Sequence, residues 1–569
     1  MRTRRPNVLL VMADQLAASW LPVYGHRVVR APHLSALASE STVFESAYCP
    51  SPLCAPSRAG LLTGRLPSRT GVFDNAAELP AATPTVTHCL RAGGWFTALA
   101  GKMHFVGPDQ LHGFEERLST DIYPGDLDWT PDWRLPAGEQ LPWYHTMESV
   151  LEPGVCTASM QQDYDEEVAF RAVRAIFDFA RSGGERPFFL VVSFAHPHDP
   201  WELRARYWDL YERDQVELPT VPPVPLAEAD PHSRRLRDMC GVDAAGLSSE
   251  QVRAARHGYY AAVSYLDERV GEVLGALREA GLEDDTIVAF TADHGEMLGE
   301  RGLWYKMSFF EQSARVPLMV RAPGGMAGRR VAEPVSLLDL GPTLLELVGA
   351  PPLGDVDGES LAPLMSGGGG RRSAPVVGEY LAEGVNHPAV MVRRGPWKLI
   401  ACPGDPDQLY DLVNDPAELT NLAGSPEHSV VVDELREVLE RRWDLESLEQ
   451  RVLASQRERH LILRALGEGA FRSWAYEPGP RHRYVEGGTD LYEVQRRARL
   501  DAPARTAPQG TRRQGAGAPD QPDRIGDDSP APDQPDRLTE DEPAPERAAV
   551  RREGSPPGTE RPDAADRPA

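Results

Sequence analysis

Paired cysteines are missing from this 569-residue chain: its six, at 49, 54, 89, 156, 240 and 402, show no Cys-X-X-Cys spacing. That argues against a disulfide scaffold or a zinc cluster. An excess of positive charge is missing too. With 60 Lys and Arg against 85 Asp and Glu, the formal net charge is -25; such a chain is ill suited to neutralising phosphates, so no nucleic acid partner is expected. No apolar run has transmembrane length, and the run from Asn7 to Ala13 is halted by Asp14 without a small-residue cleavage site. It reads as a first buried strand and not as a signal peptide, which predicts a cytoplasmic protein with no membrane partner.

What is present is alternation of strands and helices. Val8 to Met12, Trp95 to Ala100, Phe188 to Val192 and Thr286 to Thr291 are strand-length runs of mostly apolar residues, the pattern of parallel strands covered on both faces. Helical spacing appears at Pro32 to Ser39, Thr85 to Ala92, Asp163 to Arg181, Ser249 to Ala280 and Thr343 to Val348, the fourth opened by a capping box of Ser248 with Gln251. The expected fold class is α/β, a doubly wound sheet domain over residues 1–366. Gly367 to Gly370 reads as a linker into a smaller α+β subdomain, 367–500, with strands at Val376 to Leu381, Ala389 to Arg393 and Trp397 to Ala401, a helix from Val431 to about Ala465, and a C-terminal arm. The last 69 residues, 501–569, hold 13 of the 52 prolines and no aromatic residue. That composition predicts a disordered tail.

The chain is organised around Ser51-Pro52-Leu53-Cys54-Ala55-Pro56-Ser57-Arg58, followed by the apolar stripe Ala59, Leu61 and Leu62. Pro56 fits a first helical turn, so Cys54 falls at a helix N-terminus, where free N–H groups and Arg58 one turn on are expected to hold an anion. Four further clusters sit near the ends of predicted strands. Asp14 and the pair Asp293-His294 supply carboxylates and an imidazole suited to one divalent cation. Lys102 and His104, and farther on Lys306, are suited to clamp the oxygens of a tetrahedral anion. His196 and His198 follow the strand ending at Ala195; either can protonate a leaving oxygen. Residues 109–160 form a long Trp-, Pro- and Asp-rich loop, of a kind that usually builds a site.

Cys54-Ala55-Pro56-Ser57-Arg58 matches the Cys-X-Pro-Ser-Arg signature of sulfatases, and Leu66-Pro67-Ser68-Arg69-Thr70-Gly71 continues the likeness. From Asn7 to about Leu500 the chain resembles type I, formylglycine-dependent sulfatases of the alkaline-phosphatase superfamily, most of all the choline-sulfatase branch. The resemblance implies an alkaline-phosphatase-like fold and a formylglycine made from Cys54 by a formylglycine-generating enzyme. It implies one divalent metal at Asp14, Cys54, Asp293 and His294, with Ca²⁺ expected and Mn²⁺ or Mg²⁺ as alternatives. The hydrated aldehyde, aligned by Arg58, attacks sulfur; His198, in His198-Asp199-Pro200, protonates the leaving alcohol; His104 assists collapse of the sulfated intermediate; Lys102 and Lys306 hold the sulfate. His196 is then structural.

The branch also implies a small sulfate ester as substrate and a homo-oligomer, dimer or tetramer, built with the arm. For a choline cation it favours Trp129, His145 and Glu383, with Asp490 reaching a site from the arm. Trp133, Trp143, Tyr144 and Glu379 are neighbouring candidates on composition alone. Ala13-Asp14-Gln15 and His294 depart from the double aspartate and the asparagine of many sulfatases. Choline sulfatases and formylglycine-dependent phosphonate monoester hydrolases share that departure, which puts the metal's identity in question and keeps a phosphonate monoester or phosphodiester substrate open. An unmodified, anion-binding pseudoenzyme is the third alternative.

Overall fold

The computed structural model describes residues 5–141, 145–367, 372–470 and 473–478. Trp143, Tyr144, Asp490, most of the predicted linker, the arm and the 501–569 tail lie outside the described residues. A nine-stranded sheet forms the centre. Its order is Arg329–Val331, Thr42–Tyr48, Arg315–Arg321, Thr286–Ala292, Asn7–Ala13, Phe188–Ser193, Phe96–Gly101 and Glu116–Arg117, with Val335–Ser336 also beside Thr42–Tyr48. All strands run the same way except Arg315–Arg321, which is antiparallel to both neighbours.

Why these segments pair is visible in their chemistry. Asn7–Ala13, Phe188–Ser193 and Thr286–Ala292 are buried along their whole length, so apolar side chains are needed on both faces. The helix Met160–Arg181 packs on Phe96–Gly101 and Phe188–Ser193, and Ser249–Glu279 packs against that helix and opens with the expected Ser248–Gln251 capping box. Register then fixes the site. Ala13 pairs with Ala292, Met12 with Ser193, and Gly101 with Ser193, so Asp14, Lys102, Phe194 and Asp293 leave the sheet at one carboxyl edge, where open α/β sheets place ligands.

Arg315–Arg321 has no counterpart in the sequence reading. Pro317 breaks the strand signal, and in the structure it falls where the register with Thr42–Tyr48 shifts between Phe44 and Ala47, the kind of irregularity that tolerates a residue without an N–H. A four-stranded antiparallel sheet, Val376–Tyr380, Ala389–Arg394, Trp397–Ala401 and Gln408–Asp411, follows; its last strand was likewise not anticipated. The single helix expected from Val431 to Ala465 is two, Ser429–Arg442 and Leu445–Leu466. Asp444 caps the second through Ser447 N–H, and Trp443 turns inward to donate to Glu379.

Gly101 is the residue on which delivery of Lys102 depends. Its φ is +104°, and a Cβ there would stand 1.9 Å from the Ser193 carbonyl oxygen. Gly101→Ala is expected to cost about 2–5 kcal/mol, read as a lower urea midpoint with an unchanged m-value.

Candidate active site

Cys54 begins the helix Cys54–Thr63, every residue of which is buried. Of the first-turn N–H groups beyond Cys54, none is open to an anion. Ala55 N–H donates to Asn75 Oδ1 at 2.9 Å, Pro56 has no N–H, and Ser57 N–H bonds Leu53 O. Side-chain cations supply the positive charge around residue 54 instead.

Arg58 holds the carboxylates of the pocket. Its Nε donates to Asp293 Oδ2 at 2.8 Å and Nη2 to Asp14 Oδ2 at 2.9 Å, while Nη1 donates to Lys102 O and Ser193 Oγ. With the Oδ2 atoms so engaged, the Oδ1 atoms of Asp14 and Asp293 lie 3.9 and 3.8 Å from His294 Nε2. Cys54 Sγ is 3.2 Å from the same nitrogen. One donor from each of these four buried residues lies within 4.8 Å of the others, and a mixed set of carboxylates and an imidazole fits a divalent ion.

Electrostatics follow from this crowding. Burial pushes the Cys54 thiol up, but Lys102, His294 and Lys306 outweigh it and hold the thiol well below its ordinary value. Burial and Cys54 also raise the Asp14 carboxyl, yet Lys102 and Arg58 prevail and keep it below the usual carboxylate range. Lys102 Nζ is 2.5 Å from Asp14 Oδ2 and 3.6 Å from Cys54 Sγ.

The chain contains three lysines, Lys102, Lys306 and Lys398, and all are fully buried. The surface cations are arginines, so a lysine in this sequence marks a place needing a compact ammonium. Lys398 binds Glu311, Glu418 and Phe309 O. Lys306 Nζ lies 3.0 Å from His198 Nε2 and donates to Gln15 Oε1 at 2.8 Å. His198 Nδ1 faces Asp199 O at 2.7 Å. His196 is held by Asp165, away from this pair.

Gln15 was missed as a site residue, although its place after Asp14 was the signal. At φ +61° its N–H donates to Asp293 Oδ1 and its amide to Glu296 and Asp199. It thus couples the carboxylate pocket to Lys306. Burial, with Asp199 adding, pushes the Glu296 carboxyl up to about 7. Tyr123, which no motif marks, lies under Lys102 Nζ at 4.2 Å and beside His198. His104, at φ +58°, is oriented through its N–H to Asp121 and packs against Tyr123 and Trp129.

The two glutamates separate. Glu379 accepts from Ser68 N–H, Ser68 Oγ and Trp443 Nε1, a closed structural set. Glu383 is 1% exposed, and among the described residues no other residue donates a hydrogen bond to either carboxylate oxygen. His145 Nε2 lies 3.6 Å from it and stacks on Tyr305. Trp133 is anchored: its indole N–H donates to Ala382 O and its backbone N–H to Gln456 Oε1.

Residues 6–350 match the sulfatase family model; an N-sulphoglucosamine sulphohydrolase C-terminal model matches 299–444, and a choline sulfatase enzyme C-terminal model matches 450–500. A choline-sulfatase of Rhizobium meliloti (strain 1021) is 47% identical over 489 residues, 84% of this chain and 94% of that protein. An arylsulfatase K of Danio rerio is 30% identical, covering 74% of this chain and 80% of that protein. Among solved structures, the phosphonate monoester hydrolase of Agrobacterium radiobacter superposes with a TM-score of 0.60 at 27% identity, covering 79% of this chain and 96% of that one. The sheet edge, the Cys54 helix and a family match over more than half of the chain agree: this protein is an enzyme of the sulfatase family.

Proposed function

We propose that the enzyme hydrolyses choline O-sulfate to choline and sulfate. The observation carrying this reading is Glu383, a buried carboxylate to which no other residue donates a hydrogen bond among the described residues. An ionised carboxylate left so is costly, and a quaternary ammonium, which has no N–H to give, is a partner that would neutralise it; Trp129 adds an aromatic face. The 47% identity to a choline-sulfatase supports the same substrate.

In this reading Cys54 is converted to formylglycine by a formylglycine-generating enzyme, and its hydrate supplies the nucleophile. Asp14, Asp293, His294 and residue 54 would hold one divalent ion, Ca²⁺ ahead of Mn²⁺ or Mg²⁺; when bound, it draws charge from the sulfuryl oxygens. Lys102 and Lys306 orient the sulfate. The proton taken by the leaving alkoxide lies between Lys306 Nζ and His198 Nε2, whose 3.0 Å separation lets either side resupply it. His104, next to Tyr123, accepts the proton released when the intermediate collapses. All six cysteines are free, which supports a reducing, cytoplasmic setting. Exposed Leu461 and Ile462 on the last helix support a dimer or tetramer.

The test compares kcat/KM for choline sulfate, a neutral aryl sulfate, a phosphonate monoester and a phosphodiester, on protein whose residue 54 is defined by peptide mass spectrometry. Glu383→Gln is expected to lower kcat/KM for choline sulfate by about 100-fold and for the aryl sulfate by less than about threefold. Burial, with Asp74 adding, pushes the Glu383 carboxyl up to about 7. A cation binds its ionised form and releases the proton, so KM for choline sulfate falls as pH rises through about 7 and levels off above it. Equal use of a neutral sulfate sinks the reading. Phosphate release exceeding sulfate release establishes the phosphoryl alternative, and a Cys54 that stays a thiol in the native host leaves the pseudoenzyme.

A further inference from the structure

The pocket at residue 54 has two chemical states, set by whether that residue carries sulfur or oxygen. Resting on the reading that Cys54 is the residue converted, we propose that the folded, unconverted chain is a tight Zn²⁺ site formed by Cys54 Sγ, His294 Nε2 and the Oδ1 atoms of Asp14 and Asp293. Conversion then exchanges a soft-metal trap for a pocket suited to a hard cation.

Geometry and donor type carry this. Donors about 2.0–2.3 Å from a tetrahedral Zn²⁺ stand about 3.3–3.6 Å from one another. The edges here are 3.2 Å from Sγ to Nε2, 3.9 Å from Sγ to Asp14 Oδ1, and 3.9 and 3.8 Å from Nε2 to the two carboxylate oxygens. The remaining two edges lie within 4.8 Å, so the four donors converge on one centre and draw together around the ion. The surrounding contacts are those a zinc site uses. His294 Nδ1 lies 3.0 Å from Gly295 O, which turns the Nε2 lone pair toward the pocket. Arg58 engages both Oδ2 atoms. Asp293 Oδ1 is further fixed by the N–H groups of Gln15 and His294. A thiolate with an imidazole favours Zn²⁺ over Ca²⁺, which takes six to eight oxygens. Binding forms a Zn–S bond and releases any proton still on the thiol.

The full chain is prepared with Cys54 shown by peptide mass spectrometry to be entirely thiol, then loaded with Zn²⁺ or Co²⁺ and passed over a chelating resin. One Zn²⁺ per chain by elemental analysis is expected, and the Co²⁺ form shows a sulfur-to-cobalt charge-transfer band. In Cys54→Ser, checked for an unchanged circular dichroism melt, the band is absent and Zn²⁺ affinity by chelator competition falls by about 100-fold or more. Equal zinc affinity in thiol and serine forms, or no charge-transfer band in the thiol form, overturns the proposal. Failure of the converted enzyme on choline sulfate overturns the proposed substrate and leaves the zinc result standing.

Discussion

Arg58→Leu is expected to lower folding stability by about 3–5 kcal/mol at pH 7.5 and to remove measurable sulfatase activity. Arg58 is fully buried, and its guanidinium bridges Asp14 and Asp293 while holding Lys102 O and Ser193 Oγ. Leucine removes those hydrogen bonds and leaves two carboxylates in a dry pocket, with Lys102 remaining for Asp14. The pH dependence identifies the mechanism. In the wild type the Asp14 carboxyl is depressed, because Lys102 and Arg58 outweigh burial and Cys54. Its contribution is therefore present above about pH 4, the unfolded value, and is lost as pH falls through the lower folded value. Without Arg58 the Asp14 carboxyl moves up and takes a proton on acidification. The gap between variant and wild type is thus widest near neutrality and narrows toward pH 5. Urea unfolding of chelator-treated protein at both pH values measures it, and a gap that is constant with pH contradicts the account. Arg58→Lys is expected to recover only part of the stability, since an ammonium cannot present the planar fork that reaches both carboxylates.

The residues legible in the sequence are those whose signal is local. Asp14, Lys102, His198 and Asp293 each follow a buried run that can hardly be anything but a strand, and a parallel sheet delivers strand ends to one edge. Lysine scarcity is a second local signal: with arginine supplying the surface, each of the three lysines is buried and paired. What was hidden depends on partners distant in sequence. The part played by Arg58 depends on Asp293, 235 residues away. Glu379 and Glu383 sit in one short stretch, yet Ser68 closes the first, 311 residues away, and among the described residues no other residue donates to the second. The Arg315–Arg321 strand was masked by Pro317, which tertiary register absorbs. The Ala55 N–H was hidden for the same reason, since Asn75 takes it from outside the motif.

Cys54→Ala is expected to separate chemistry from folding, where Arg58→Leu loses both. Removing the group that supplies the nucleophile lowers kcat on choline sulfate on the order of 10⁴-fold or more. Stability changes by only about 1 kcal/mol, because the buried Sγ is small and its cationic neighbours keep other partners: Lys102 retains Asp14 Oδ2 at 2.5 Å, and His294 retains Gly295 O. Residual turnover depends on what remains around the anion. Lys102 and Lys306 still orient the sulfate and Lys306 still faces His198 Nε2, so Cys54→Ala is expected to bind choline sulfate with an affinity within about tenfold of the active enzyme. Isothermal titration calorimetry reads that affinity without turnover. Retained binding with lost turnover assigns residue 54 to the bond-breaking step, whereas loss of binding in step with turnover makes Cys54 part of the anion cradle and contradicts its reading as the precursor of the nucleophile.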